Sequence, residues 1–173
     1  MKNFFKNPNE KIFGLKEMDT DQLLYRVMPR FVMEIMRKYF QLEVEGVENI
    51  PRRGAALIAP NHSGYSGFDV FVLAHEIQRA TGRVPRILSH HLWFLSKATA
   101  LPAMKLGFIE ANMKNGRKQL GKNNLVVVFP EGEYGNFKPT SKRYRLQDFK
   151  RGFLRMAILE QTPIVPTLII GAE

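Results

Sequence analysis

The spacing of apolar positions divides the chain into an amphipathic N-terminal segment and a longer part in which apolar runs alternate with helical patterns. From Thr20 to Tyr39 the apolar residues recur three and four positions apart, which predicts one amphipathic helix with Thr20 and Asp21 as its cap. Pro29 lies inside this pattern and predicts a kink or a split. Basic residues flank the apolar face, as in helices of a membrane interface, but a core-packing helix has the same periodicity.

Beyond residue 40 the pattern changes to short strands and helices. Residues 40–45 alternate apolar and charged positions, which predicts a half-exposed strand ended by Gly46. Apolar runs predict further strands at 55–59, 84–89, 107–109, 125–129 and 164–170. Helical patterns occupy the region from Asp69 to near Gly82, residues 92–106 with an interruption at Pro102, and 149–161, while 114–122 is a basic helix or loop. Strands that alternate with helices predict an α/β fold with a largely parallel central sheet flanked by helices.

Composition narrows the classes of protein. A length of 173 residues suits one domain, and we expect an α/β domain at 41–173 behind an N-terminal arm and amphipathic helix at 1–40. The absence of cysteine excludes disulfides, zinc–thiolate sites and cysteine nucleophiles. No apolar run reaches the length of a transmembrane helix, and the N-terminus lacks the apolar core of a signal peptide.

The formal net charge of +10 is unevenly distributed. Residues 77–130 carry nine basic side chains and one acidic side chain, Glu110, and residues 134–159 carry seven basic ones and one acidic one, Asp148. Such a field attracts nucleic acid, an anionic membrane surface or a phosphorylated substrate, and charge alone does not choose among them.

A turn at residues 60–69, PNHSGYSGFD, places a histidine and an aspartate between a predicted strand and a predicted helix. A carboxylate that accepts the proton on one ring nitrogen of His62 leaves the other nitrogen to act as a general base. The spacing from His62 to Asp69 is, by itself, more often that of a structural histidine. Its position at the carboxyl end of a strand favours a catalytic pair, because open α/β sheets bind ligands there.

A second candidate site follows the most apolar predicted strand, where residues 129–132 read FPEG. Glu131 between a proline and a glycine is a poor choice for core packing and a good choice for a site. The same composition is also that of an ordinary turn, so both interpretations stay open.

Several other kinds of site lack support in the sequence. Residues 64–67 read GYSG, which misses the G-x-S-x-G elbow of serine hydrolases by one position, and no glycine-rich phosphate loop occurs. His75, His90 and His91 lack carboxylates at metal-like spacing, so we expect no metal site. The basic segments match no nucleic-acid-binding module and lack regularly interleaved aromatic residues, so we expect no nucleic-acid partner.

Four ordered blocks resemble those of the glycerolipid acyltransferases, and in particular the lysophosphatidate (1-acylglycerol-3-phosphate) acyltransferases. The blocks read NHSGYSGFD, FPEG, LQDFKRGFLRMA and TPIVPTLIIGAE. The resemblance covers residues 44–173, and the blocks occur in family order with family-like separations. Each block alone is a weak signal, whereas the four together are specific. Similar proteins usually continue beyond the fourth block, so we expect either a C-terminal truncation or a minimal version with an incomplete C-terminal part.

The resemblance implies roles for individual residues. His62 would deprotonate the acceptor hydroxyl, which attacks the thioester of acyl-CoA or of an acyl carrier protein, and Asp69 would orient the histidine. The residues expected to bind substrate are Asn61 and Ser63, which flank the histidine, and Glu131 and Gly132 of the second block.

Three positions depart from the commoner family pattern. The aspartate usually follows the histidine by five positions, where this chain has Gly67, so the turn is two residues longer, as in a subset of similar bacterial sequences. An arginine often found two positions after the FPEG glycine is replaced by Tyr134. An arginine often found in a further block near 107–115 is absent. The basic residues expected to bind the acceptor's phosphate instead are Lys114, Lys138, Lys142, Arg143 and Arg145.

The resemblance therefore implies an O-acyltransferase of phospholipid biosynthesis that acylates the free hydroxyl of a lysophospholipid. It implies no cofactor, because the acyl donor is itself a substrate. The basic excess and the amphipathic segment suit a peripheral protein held on an anionic membrane surface, on its cytoplasmic side. A catalytically inactive lipid-binding or scaffolding relative is the main alternative, and a basic nucleic-acid-binding protein is a further one.

Overall fold

The computed structural model describes residues 19–62, 67–142 and 144–172. The chain divides into two compact units, Met1–Gln41 and Leu42–Glu173, and each is described by itself.

The first unit contains the predicted amphipathic helix, built from three helical segments. An α-helical turn, Thr20–Gln22, leads into a π-helical segment, Leu23–Val27, which is followed by helix α1, Met28–Tyr39. The π-helical segment and Pro29 are related, because the N–H of Met28 bonds to the carbonyl of Leu23 five residues back and the proline then falls in the first turn of α1. A proline in that turn removes no helical hydrogen bond. The predicted interruption therefore lies ahead of Pro29, and Asp19, rather than Thr20, occupies the N-cap position.

The apolar face of this helical segment is exposed. None of the residues of α1 is buried. The exposed apolar side chains of the face are Leu24, Met28, Phe31, Val32, Ile35 and Tyr39. A face of this size and period is available for an apolar partner.

The second unit is an α/β domain around five strands, and the predicted fold class is confirmed. The strands are β1 Ala56–Pro60, β2 Arg86–Ser89, β3 Phe108–Glu110, β4 Leu125–Val127 and β5 Ile164–Thr167. Their order is β3-β2-β4-β1-β5, and every neighbouring pair is parallel. The main helices are α2 Phe68–Thr81, α3 Lys97–Lys105, α4 Met113–Leu120, α5 Glu133–Asn136 and α6 Gly152–Leu159. Short 3₁₀ turns lie at Val47–Asn49, His91–Phe94 and Thr140–Lys142.

Both faces of the sheet are covered, which explains the continuous apolar sequence of β1 and β4. Residues alternate between the faces: Ile58 and Val127 pack with α2 on one face, while Leu57 and Val126 pack with α4 and α6 on the other. The connection through α2 runs toward one edge of the sheet, and those through α4 and α6 run toward the other. Connections of one handedness that run in opposite directions cover opposite faces.

Two predicted elements differ from the structure. Residues 42–46 have no regular structure, because no strand among the described residues pairs with them: the edges of the sheet are β3 and β5. The predicted helix at 92–106 is interrupted before Ser96, not at Pro102. Ser96 begins a new helix by accepting a hydrogen bond from the N–H of Thr99, which is the usual action of an N-cap serine.

Parallel pairing brings the carboxyl ends of all five strands to one edge of the sheet, here called the carboxyl edge. The residues that follow β1, β2 and β4, among them His62, His90 and Glu131, lie at this edge. Within the described residues no helix is both long and apolar enough to cross a bilayer.

Candidate active site

His62 and Asp69 form the hydrogen-bonded pair that the sequence predicts. His62 follows β1 by two residues, and its Nδ1 lies 2.6 Å from Oδ2 of Asp69. The other oxygen of Asp69 accepts the backbone N–H of Val70 at 2.9 Å. The carboxylate is therefore an acceptor at the N-terminus of α2, where the helix dipole stabilises negative charge. The proton of the neutral imidazole lies on Nδ1, and Nε2 is left as the acceptor.

Gly67 explains how a turn with two extra residues still delivers the carboxylate. This glycine is the N-cap of α2 and has a φ of +70°, a left-handed conformation that side chains with a Cβ rarely adopt. An aspartate at this position would be strained. The carboxylate comes instead from Asp69, the second residue of the helix, which is 1% exposed. Residues 63–66 of the turn, with Ser63 among them, lie outside the described residues.

Phe129 packs against the imidazole of His62. The two ring centroids are 4.3 Å apart with an interplanar angle of 30°. Since Phe129 follows β4 and His62 follows the adjacent β1, the sheet brings the two rings together. The stacked phenyl ring and the Asp69 carboxylate together fix the plane of the imidazole.

Glu131 holds the backbone of the histidine turn. Its Oε1 accepts the N–H of His62 at 2.9 Å, and its Oε2 accepts the N–H of Gln147 at 2.7 Å. Lys138 supplies a charge partner, with Nζ 3.0 Å from Oε2 and 3.2 Å from the carbonyl of Arg145. Glu131 is fully buried, and the side chain of Lys138 is 6% exposed.

These contacts give both residues a structural role. Contact of Glu131 and Lys138 with the acceptor substrate stays a prediction. In the structure their charged groups neutralise each other below the surface, and the glutamate carboxylate has three donors from this chain. A buried carboxylate requires such partners. Their observed contacts join the backbone at His62 to the loop at 138–147.

Asn61 also has a structural partner, and its contact with substrate stays a prediction. Its Nδ2 donates to the carbonyl of Ile169 at 2.9 Å, and its Oδ1 accepts the N–H of Ile169 at 2.7 Å. The side-chain amide therefore extends the pairing of β1 with β5 beyond the last residues of the strands. It holds the histidine turn from the side opposite Glu131.

Two glycines allow the loop after β4 to approach the histidine. Gly132 has φ +61° and ψ −148°, a region open essentially to glycine alone, and a Cβ there would lie 3.0 Å from Nζ of Lys150. A Cβ on Gly135 would lie 2.7 Å from the Cβ atoms of both Glu131 and His62. The predicted Gly132 thus shapes the loop, and Gly135 is a site residue that the sequence analysis missed.

The remaining expected phosphate ligands lie in different places. Lys142 and Arg145 lie in the loop at 138–147, where the N–H of Arg145 donates to the carbonyl of Lys142. Lys114 is exposed on α4 and makes no ion pair within the described part of the chain. It follows β3, three strand spacings from β1, or about 14 Å. Arg143 lies outside the described residues. Lys150, which the sequence analysis did not single out, is exposed and has Nζ 5.4 Å from the ring centroid of Tyr134.

Comparison with known proteins places these features in a family. Residues 41–170 match the acyltransferase family. An uncharacterized protein of Mycobacterium tuberculosis is 39% identical over 140 residues, which are 79% of this chain and 39% of that protein. An uncharacterized protein of Mycobacterium leprae is 34% identical over 146 residues, which are 83% of this chain and 40% of that protein. The chain thus spans about two fifths of the length of these relatives.

Two further likenesses involve proteins with named activities. A 1-acyl-sn-glycerol-3-phosphate acyltransferase of Cocos nucifera is 35% identical over 65 residues, which are 38% of this chain and 19% of that protein. The crystal structure of PlsC, the 1-acyl-sn-glycerophosphate (LPA) acyltransferase of Thermotoga maritima, has a TM-score of 0.56 at 16% identity and covers 91% of this chain and 64% of that chain. The structural likeness shows a common fold. With the family match over residues 41–170, it follows that the chain belongs to the acyltransferase family.

Proposed function

We propose that this protein is an O-acyltransferase that moves a fatty acyl group from a thioester donor to the free hydroxyl of a lysophospholipid. The observation that carries the proposal is the contact between Nδ1 of His62 and the buried carboxylate of Asp69 at 2.6 Å, which leaves Nε2 as a base. Membership of the acyltransferase family supplies the type of reaction.

In the proposed reaction, Nε2 of His62 removes the proton of the acceptor hydroxyl as the hydroxyl oxygen attacks the carbonyl carbon of the thioester. Asp69 stabilises the imidazolium that forms. Collapse of the tetrahedral intermediate breaks the carbon–sulfur bond and leaves the new ester bond. The departing thiolate takes the proton from Nε2, so the histidine returns to its neutral state.

The surroundings of His62 favour this chemistry because they hold the imidazole before substrate arrives. Phe129 stacks on the ring, Glu131 accepts the backbone N–H of His62, and the Asn61 side chain binds the backbone of Ile169. A base that is already oriented needs no reorganisation during the reaction, which is a main source of catalytic rate.

For the acceptor we propose 1-acylglycerol-3-phosphate, with Lys150 as the ligand of its phosphate. The names of the Cocos nucifera and Thermotoga maritima proteins support this class of acceptor. Tyr134 replaces the arginine of the commoner family pattern, and the ammonium of Lys150 lies over its ring and next to Gly132. A lysine at this place restores the positive charge beside the glutamate–glycine pair.

For the donor we propose acyl-CoA or an acyl carrier protein, both of which present a thioester together with negative charge. The net charge of +10 favours the approach of either donor and of an anionic bilayer. We accordingly propose a peripheral location on the cytoplasmic side of a membrane and a part in phospholipid biosynthesis.

Release of the free thiol tests the reaction. Purified protein supplied with acyl-CoA and 1-acylglycerol-3-phosphate should release CoA thiol, and His62→Ala should abolish the release. His75→Ala, in the middle of α2, is the matched control and should retain it. Thiol release by His62→Ala at the wild-type rate would contradict the catalytic assignment. Vesicle binding without turnover on any acceptor would identify a lipid-binding relative instead.

Acceptors with and without a phosphate test the role of Lys150. Lys150→Met should raise KM for 1-acylglycerol-3-phosphate about tenfold, the range expected for one charge-assisted contact, and should leave KM for monoacylglycerol unchanged. Lys122→Met removes an exposed lysine at the end of α4 and serves as the control. An equal effect of Lys150→Met on both acceptors would show that Lys150 does not bind the phosphate.

A further inference from the structure

A group of exposed apolar side chains lies on the connection between β2 and β3. Trp93 is 58% exposed in the 3₁₀ turn His91–Phe94, and Leu95, which follows that turn, is 71% exposed. The turn packs against α3, whose exposed side also carries large apolar residues. The residues of this group, here called the apolar patch, are Leu92, Trp93, Leu95, Leu101 and Met104. Single exposed apolar residues are ordinary, whereas five within one short connection mark a binding surface.

The charged side chains within the segment that carries the apolar patch are all positive. Residues 90–106 include Lys97 and Lys105 and contain no aspartate or glutamate. On α3 these lysines and the apolar Leu101 and Met104 follow the spacing of a single helix face, and all four are exposed. Lysines at both ends of a short apolar face are the pattern of a helix that lies among the headgroups of an anionic bilayer.

The apolar patch is adjacent to the candidate active site. Its first residues, Leu92, Trp93 and Leu95, follow β2 at the same carboxyl edge of the sheet as His62, and its remaining residues lie on α3, which runs back toward the opposite edge. His90, immediately before the 3₁₀ turn, has Nε2 3.8 Å from Oε2 of Glu133, and Glu133 follows the glutamate–glycine pair that holds the histidine turn. A surface that contacts Trp93 and Leu95 therefore also lies next to the loops of the site.

We propose that the apolar patch is a membrane-binding surface whose partner is an anionic phospholipid bilayer. The patch seats the carboxyl edge of the sheet on the headgroup layer, with Trp93 at the boundary between headgroups and acyl chains, where tryptophan is favoured. This inference rests on the proposed function, because a lysophospholipid acceptor would reach His62 from the surface of a bilayer. It assigns membrane contact to the α/β domain itself, in addition to the helical segment at residues 20–39.

The chain contains a single tryptophan, so intrinsic fluorescence reports on the patch directly. The full chain is titrated with vesicles of phosphatidylglycerol and phosphatidylcholine in equal parts, and with vesicles of phosphatidylcholine alone. We expect the emission of Trp93 to shift to shorter wavelength with the anionic vesicles and to be quenched by brominated acyl chains in them.

A matched pair of variants distinguishes vesicle binding through the patch from nonspecific hydrophobic binding. Leu95→Ser removes a patch residue and should lower the partition constant for anionic vesicles about tenfold, because a large apolar side chain no longer enters the interface. Ile158→Ser removes a side chain that is 75% exposed near the end of α6, where the chain has returned to the opposite edge of the sheet, and should leave the partition constant unchanged.

Three outcomes would overturn the inference. Vesicle binding with no change in Trp93 emission would assign the membrane contact to another surface. Equal losses of the partition constant in Leu95→Ser and Ile158→Ser would show that the patch has no specific role in vesicle binding. A shift of Trp93 emission that depends on protein concentration without vesicles would identify a second copy of the chain as the partner. The proposed function fails separately, if wild-type protein releases no thiol from water-soluble, short-chain substrates in the absence of vesicles.

Discussion

The Asp69 side chain determines which nitrogen of His62 can react. Its carboxylate binds Nδ1 and is almost wholly buried, so its charge is little screened by water when the imidazolium forms. Asp69→Asn keeps the shape and removes that charge, and we expect kcat to fall about 10²–10⁴-fold with an unchanged circular dichroism spectrum. Glu48→Gln, an exposed change in the turn Val47–Asn49, is the control. A kcat near the wild-type value would exclude Asp69 from the mechanism.

The pair of Glu131 and Lys138 couples the stability of the domain to the geometry of the site. Lys138→Met leaves a buried carboxylate without its cation, and we expect the free energy of unfolding to fall by about 3–5 kcal/mol in urea titrations. Lys142→Met, an exposed change in the same loop, should have little effect. Adding Glu131→Gln to Lys138→Met should restore part of the stability, because no unpaired charge remains, although the amide nitrogen cannot accept the second backbone N–H. Similar stability of Lys138→Met and wild type would contradict the pairing.

Residue contacts within one turn were predictable from sequence, whereas those between distant segments were not. His62 and Asp69 are neighbours along the chain, so their types and spacing suffice to suggest a pair. The bond from His62 to Glu131 spans 69 residues, and the bonds from Asn61 to Ile169 span 108. These contacts depend on the order of β1, β4 and β5 in the sheet, which no local pattern encodes.

At the scale of elements, the short helix α5 allows the loop after β4 to close on β1. Gly135→Ala adds a methyl group 2.7 Å from the Cβ atoms of His62 and Glu131, so the helix must move away. We expect a loss of at least tenfold in kcat and a lower unfolding midpoint, as for other overpacking changes. Gly152→Ala, where a Cβ meets nothing within 4 Å at the start of α6, should be neutral or stabilising. Equal kcat values for the two variants would show that α5 does not constrain the site.

Strands were predictable from the sequence where burial on both faces of the sheet determines their conformation. The apolar runs of β1 and β4 are covered on both faces by helices, so their sequence and their structure agree. The alternating residues 40–45 have the pattern of a strand but no partner strand among the described residues. Cross-strand side-chain pairs stabilise a sheet, so the alternating pattern does not stabilise an extended segment that is unpaired. Pro102 lies within α3, because the helix begins after Ser96, ahead of the predicted break point, and continues past the proline to Lys105.

At the scale of the whole molecule, positive charge and exposed apolar surface occur together. The net charge of +10 acts over distances set by salt, with a Debye length of about 10 Å at 0.1 M ionic strength and about 3 Å at 1 M. We therefore expect the partition constant for anionic vesicles to fall more than tenfold over this range, measured by sedimentation. Binding to neutral vesicles, which uses the apolar surfaces alone, should be weak and should not fall with salt.

The same titration separates two interpretations of the charge. Basic residues that serve lipid binding act with apolar contacts, so some affinity for anionic vesicles should persist at high salt. Binding to RNA or DNA relies on the release of counterions from phosphates and falls steeply over the same range. Salt-sensitive binding to nucleic acid at physiological ionic strength, without binding to anionic vesicles, would assign the basic surface to nucleic acid. Retention on vesicles at high salt, lost when Leu95→Ser is combined with Phe31→Ser in the helical segment, would assign it to the membrane.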